Sequence, residues 1–248
     1  MLKYILLGVL QGIFEWLPIS SEGVVALFSN FIQIKVNPID MALFLHLGTM
    51  LAVLIYFYKD WKRILLFKDI NLVKFLIYTT IISLIIGYPL YTFVRELAIG
   101  VSLLFLVGIG LLLTAYFNKS KKTFNLSLEN NILSLSIICG VLQGLAVIPG
   151  LSRSGSTIFG LSLGKFKPEE ILKLSYLMSL PVTLVATIFV LINDTVLLET
   201  WPALIMSFIV GLLTLSLLMR LSKRINFFYF ALIFAILCFI GGIVGLII

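Results

Sequence analysis

Residues 200–219 read TWPALIMSFIVGLLTLSLLM, twenty positions without a charged side chain. A helix of twenty residues rises about 30 Å, the thickness of a bilayer's hydrocarbon core. Inside that core only a helix or a closed barrel satisfies every backbone polar group. The apolar runs of this chain do not alternate with period two, which excludes the barrel. The remainder of the chain agrees, with 61% of 248 residues hydrophobic and 12% charged, and a mean hydropathy of +1.18. A soluble domain of this size needs more polar surface. The fold class is an all-α polytopic membrane protein.

Six stretches are predicted to span: 41–58, 72–94, 99–117, 170–192, 200–219 and 226–248. Four apolar stretches are too short: 2–17, 24–34, 132–148 and 156–164. They form two pairs, each joined by a polar, Gly-containing tip. Such a pair fits a re-entrant hairpin or, alternatively, one long kinked helix. The pairs are copies. GVLQG stands at 8–12 and again at 140–144, followed by LPISSEG in one copy and PGLSRSGST in the other. VNPIDMALF (36–44) likewise resembles FKPEEILKL (166–174).

The expected plan is therefore two repeats, 1–117 and 132–248, joined by a polar linker over 118–131. Each holds a hairpin (2–34 or 132–164) and three spans, giving ten helices and one integral membrane domain. Three spans are an odd number, so the second repeat enters from the opposite side. This is an inverted-topology repeat, which sets a site near the midplane where the halves meet.

The net charge of +7 would point to nucleic acid in a soluble protein. Here it marks cytoplasmic loops and no nucleic-acid partner is expected. Of the eighteen Lys and Arg, only Lys3, Lys35 and Arg95 fall on one face of the membrane, and Arg153 lies in the second tip. The others share the opposite face, which puts them inside and both termini outside. Trp16, Trp61 and Trp201 fall near span ends, where aromatic rings favour the interface. Cys139 and Cys238 read as buried thiols, and residues 1–17 as mature structure, since Gln11 and Glu15 interrupt the apolar run. GLSLG (160–164) and GGIVG (241–245) have the small-residue spacing of close helix contacts, a weak pointer to a homodimer.

The chemistry concentrates in the tips. Gln11 and Glu15 are four apart and share a helix face. A carboxylate at membrane depth needs a partner, a metal or water. The first tip adds Ser20, Ser21 and Glu22, and the second adds Ser152, Arg153, Ser154, Ser156 and Thr157. Arg153 offers a planar fork for two phosphate oxygens. Gly150 and Gly155 are expected to bring backbone N–H groups close, and the helix beginning near Ser156 adds its positive end. The ligand this points to is phosphate or diphosphate. Glu15 is then a general base or metal ligand, Gln11 orients a water or metal ligand, and Ser21 is a nucleophile. Glu15 and Arg153 could instead simply neutralise each other. His46, in FLHLGT, is a lone histidine on an apolar helix, a setting where packing is commoner than catalysis.

Taken together, QGIFEWLPISSEG (11–23) and PGLSRSGST (149–157) resemble the undecaprenyl-diphosphatase family of the bacitracin-resistance type. The likeness covers the whole chain in length, helix count and motif order. It implies removal of the terminal phosphate from a polyprenyl diphosphate lipid, which recycles the carrier for cell-surface glycan assembly at the plasma membrane. It also implies support by magnesium or calcium, a ten-helix inverted repeat, and a site on Gln11, Glu15, Ser20, Ser21, Pro149, Gly150, Ser152, Arg153, Ser154 and Thr157. One departure is plain, in that most bacterial members carry histidine where this chain has Val24. Three routes stay open: Glu15, Ser21 and a metal suffice, or Glu22 or His46 substitutes, or the protein carries the lipid phosphate without cleaving it.

Overall fold

A computed structural model describes residues 1–17, 20–34, 36–97, 126–164, 166–193 and 199–221, with scattered positions between 105 and 116 and between 232 and 243. Among the described residues the continuous elements are nine helices. They are α1 (Leu2–Phe14), α2 (Ser21–Phe31), α3 (Pro38–Tyr56), α4 (Tyr58–Leu65), α5 (Ile70–Leu97), α6 (Ile132–Leu145), α7 (Arg153–Ser162), α8 (Pro168–Asn193) and α9 (Trp201–Leu221). Four stretches are long and apolar enough to cross a membrane: Pro38–Tyr56, Ile70–Val94, Glu169–Ile192 and Trp201–Arg220. They coincide with four of the six expected spans. The spans expected over 99–117 and 226–248 lie largely outside the described residues, as do Cys238 and the first part of the linker.

The short segments stay short. α1 has 13 residues and α6 has 14, a rise of about 20 Å each, well under a bilayer crossing. α4 is an addition to the expected elements. It is a short amphipathic helix that buries Trp61 and Ile64 and carries Lys59, Lys62 and Arg63. Local chemistry starts α3: Asn37 Oδ1 accepts the N–H of Ile39 at 2.9 Å, and Pro38 takes the first helical position, where no N–H is needed.

Both copies of GVLQG are packing segments. α1 lies on α9 so closely that a Cβ on Gly12 would stand 2.7 Å from the Gly211 nitrogen. α6 lies on α5 in the same manner, with Gly144 against Ser83 and Ile86. Gly8 and Gly140 repeat these contacts one turn earlier, against Ala203 and against Thr79 and Ile82. Small residues at i and i+4 let two backbones approach where lipid provides no hydrophobic drive between helices.

Three sequence expectations need correction here. Trp16 is not an interfacial anchor. It is 1% exposed, donates Nε1–H to the Gly211 carbonyl at 2.9 Å and packs edge-on against Tyr176. Trp61 is also buried, under α4, whereas Trp201 is half exposed at the start of α9 as expected. The GLSLG glycines serve contacts inside the chain: Gly160 faces Cys139 and Leu142, and Gly164 faces Leu126 and Phe166.

Replacing Gly12 by valine pushes side-chain atoms into the α9 backbone. The expected loss is roughly 1–3 kcal/mol, read as a lower melting midpoint of the purified protein in detergent. An unchanged midpoint would contradict the contact.

Candidate active site

The first tip joins α1 to α2, the second joins α6 to α7, and the two tips touch. Helices α2 and α7 begin at Ser21 and Arg153, positions 132 residues apart like the two copies of GVLQG. Both are capped in one way. Ser20 Oγ accepts the N–H of Gly23 at 3.0 Å, and Ser152 Oγ accepts that of Gly155 at 3.1 Å. The caps then cross between tips. Ser20 Oγ also accepts the N–H of Gly150 at 2.9 Å, while Ser154 donates to the Leu17 carbonyl at 2.7 Å and Ser152 to the same oxygen at 3.4 Å. Gly150 has φ 96°, a conformation that side-chained residues avoid, and this turns its N–H toward Ser20. Two helix starts, each with a partial positive end, thereby face one space.

Glu15 stands at the end of α1, buried. Its Oε1 is paired with the Arg153 guanidinium. Its Oε2 accepts from Gln11 Nε2 at 2.7 Å and from Ser21 Oγ at 2.8 Å, and lies 3.1 Å from His46 Nε2. Because Oε2 only accepts here, Gln11 must present its NH₂ edge. On the ring's other side Nδ1 lies 2.7 Å from the Ala42 carbonyl, so that nitrogen donates and the Nε2 edge faces Glu15 and, at 3.8 Å, Glu22. Among the described residues Arg153 Nε and Nη1, Glu22 Oε2 and Gln11 Oε1 are buried without a hydrogen-bond partner. A cavity of about 200 Å³ is lined by Glu15, Ser20, Ser21, Glu22, His46 and, from the second tip, Leu151 through Ser154. Buried donors and acceptors left unpaired are costly in a folded chain and mark a place for a polar ligand.

The structure brings Gln11, Glu15, Ser20, Ser21, Ser152, Arg153 and Ser154 together as the sequence suggested. Three assignments change. The N–H groups of Gly150 and Gly155 go to Ser20 and Ser152, so neither points at a ligand. Thr157 turns away, donating to the Arg153 carbonyl and meeting Ser175 Oγ at 2.6 Å, which ties α7 to α8. Val24 is buried on α2, and the chain's single histidine reaches the site from α3 instead.

The expected cation site on Gln11 and Glu15 does not fit this donor set. Both Glu15 oxygens already face protein donors, and Gln11 offers its NH₂ edge. A cation there would have to displace Arg153 or one of three other donors. Two contributors were less legible beforehand. His46 looked like a packing residue because nothing in a linear pattern sets it beside Glu15. Tyr176, which donates to the Trp16 carbonyl at 3.1 Å and backs the first tip, gave no signal at all.

These features define a polytopic membrane protein whose polar pocket takes its carboxylate from one half of the chain and its guanidinium from the other. The chain belongs to the family described as bacitracin resistance protein BacA, whose model matches residues 4–244. It is 36% identical over 247 residues to an undecaprenyl-diphosphatase of Methanococcoides burtonii, covering 92% of this chain and 93% of that protein. Proteins of the same name from Haloarcula marismortui, 37% identical over 96% of each chain, and Thermosipho africanus, 35% identical over 97% of this chain and all of its relative, are similarly close.

Ser20→Ala removes one acceptor from two buried amides, those of Gly23 and Gly150. A loss of about 2 kcal/mol is expected, visible as a lower melting midpoint in detergent, with Ser20→Thr largely restoring it. Equal midpoints for Ser20→Ala and the parent would rule out the cross-tip cap.

Proposed function

We propose that this chain is a membrane phosphatase that hydrolyses a long-chain polyprenyl diphosphate, undecaprenyl diphosphate or a similar lipid. The products are the lipid monophosphate and inorganic phosphate, which returns the carrier to cell-surface glycan assembly. The observation that carries this reading is a Ser21–Glu15 hydrogen bond beside an arginine whose Nε and Nη1 are buried without a partner among the described residues. The family and the names of the relatives support it.

The steps follow from these residues. The diphosphate enters the pocket between the tips and draws the Arg153 guanidinium onto its terminal phosphate. Glu15 is thereby released to take the Ser21 proton through the existing 2.8 Å contact. Ser21 Oγ forms a bond to the terminal phosphorus as the bond to the bridging oxygen breaks, and the prenyl monophosphate leaves with that oxygen. Water then attacks the phosphoserine, freeing phosphate and returning the proton to Ser21. Gln11 and His46 hold Glu15 in place throughout, and the Ser152 and Ser154 hydroxyls line the phosphate's side of the pocket. His46 is the histidine available to this site, supplied from α3. Magnesium or calcium is the cofactor the resemblance implies; no step is assigned to it, because the Glu15 oxygens are already occupied.

The same reading places the protein in the plasma membrane as an inverted repeat, with both hairpins re-entrant, both termini outside and the pocket accessible from the outer face. The Lys and Arg distribution supports the orientation. The reciprocal packing of α1 on α9 and α6 on α5 supports the repeat.

Purified protein given a polyprenyl diphosphate should release phosphate, and Arg153→Ala and Glu15→Gln should each lower kcat by about 10²-fold or more. Full turnover by either variant would refute the site. Lipid phosphate moving across vesicles without phosphate release would favour a carrier instead.

A further inference from the structure

The short helix α4 has no part in the phosphate pocket. It joins α3 to α5, two of the stretches long and apolar enough to cross a membrane, so it lies at one membrane face. Successive side chains on a helix are turned by about 100°, which divides α4 into three faces. Trp61 and Ile64 point into the protein. Beside them stand Tyr58 and Leu65, seven positions apart and both exposed. The next arc, about 100° wide, carries Lys59, Lys62 and Arg63, all exposed.

The turn that ends α4 extends the exposed apolar edge. The Phe67 N–H donates to the Ile64 carbonyl at 3.0 Å and the Lys68 N–H to the Arg63 carbonyl at 2.9 Å. This closing motif needs a left-handed residue at position 67, where glycine is usual. Phe67 takes that conformation, with φ 52°, although a bulky side chain is disfavoured there. Its ring is 64% exposed, so little packing inside the protein offsets the strain. Leu65, Leu66 and Phe67 thus form one continuous exposed apolar run, bounded by Lys68.

The carboxylates of this stretch are committed elsewhere. Asp60 is paired with Lys173 of α8, and Asp69 Oδ1 accepts the Leu72 N–H at 3.1 Å at the start of α5. Lys59, Lys62, Arg63 and Lys68 form no ion pair among the described residues. An interfacial helix with a cationic face beside an apolar one binds anionic lipid through both. Here the charge selects an anionic headgroup, and the apolar run selects a headgroup that carries acyl chains.

We propose that α4 and the turn after it bind anionic phospholipids of the surrounding bilayer, with Lys59, Lys62 and Arg63 on the headgroup phosphate and Tyr58, Leu65 and Phe67 against the acyl chains. The surface is separate from the Glu15–Arg153 pocket and does not depend on what that pocket does. Bound lipid fixes α4 to the bilayer, as Asp60 fixes it to α8.

The test is native mass spectrometry of the full chain in a neutral detergent, titrated with phosphatidylglycerol or with phosphatidylcholine of the same acyl chains. Wild-type protein should prefer phosphatidylglycerol by at least about tenfold, since each cation near the headgroup contributes about fivefold. Replacing Lys59, Lys62 and Arg63 together by Gln should abolish most of that preference, and inorganic phosphate should not displace the lipid. Phe67→Gly should weaken binding of both lipids without lowering the melting midpoint in lipid-free detergent, because glycine suits the turn. Equal affinity of wild-type protein for the two lipids overturns the proposal. So does a preference that survives the triple substitution, which would put the lipid in the Arg153 pocket, or displacement by inorganic phosphate, which would mark a site for soluble anions. If the triple variant does not fold, Lys62→Gln alone decides, with about a fivefold loss of preference expected and no loss contradicting the proposal.

Discussion

The ion pair between Glu15 and Arg153 is the contact on which the arrangement depends. Its members are 138 residues apart and come from opposite halves of the chain. Two charges withdrawn from water this far are costly, and their attraction offsets that cost only when the remaining lone pairs and protons are also satisfied. The structure meets that requirement for Glu15, whose second oxygen faces Gln11, Ser21 and His46. Among the described residues it is not met for Arg153, whose Nε and Nη1 have no hydrogen-bond partner. Arg153 therefore keeps donors that an anion in the pocket would pair.

Two segments of similar sequence hold that pair with parallel contacts. Ser20 and Ser152 occupy equivalent positions, cap equivalent helices and reach across to the opposite tip. The glycines of both GVLQG copies bring α1 and α6 against α9 and α5. The chemistry sits where the copies differ. Glu15 corresponds to Val147, and Ser21 to Arg153. The half of the chain up to Ser21 therefore supplies the paired carboxylate and hydroxyl, and the later half the guanidinium. Gln11 and Gln143 are alike in type but differ in partner, one donating to Glu15 and the other to Ser83 of α5.

Much of this was legible in the sequence. Long uncharged runs can only be membrane helices, and four of the six expected spans coincide with described helices. The short runs, their Gly-containing tips and their repetition pointed to the residues that meet. What sequence could not resolve has a common cause: one residue type serves two purposes. A serine before a helix is both a good cap and a good phosphate donor, and Ser20 and Ser152 are caps first. A glycine beside an arginine suggests an anion nest, yet the Gly150 and Gly155 amides serve those caps. Tryptophan near a span end suggests the interface, but Trp16 finds a carbonyl of α9 and packs inside. His46 is the sharpest case. Its neighbours in sequence are apolar, and only the packing of α3 against α1 and α2 sets it beside two carboxylates.

The central claim is that the two tips form one phosphatase site with Ser21 as the attacking group. Rapid acid quench of the protein during turnover of a prenyl diphosphate, followed by mass analysis of its peptides, tests this directly. The account predicts phosphate on Ser21 in the quenched protein and none on Ser21 without substrate. Sustained phosphate release with no phosphoserine formed, or undiminished release from Ser21→Ala, would contradict it.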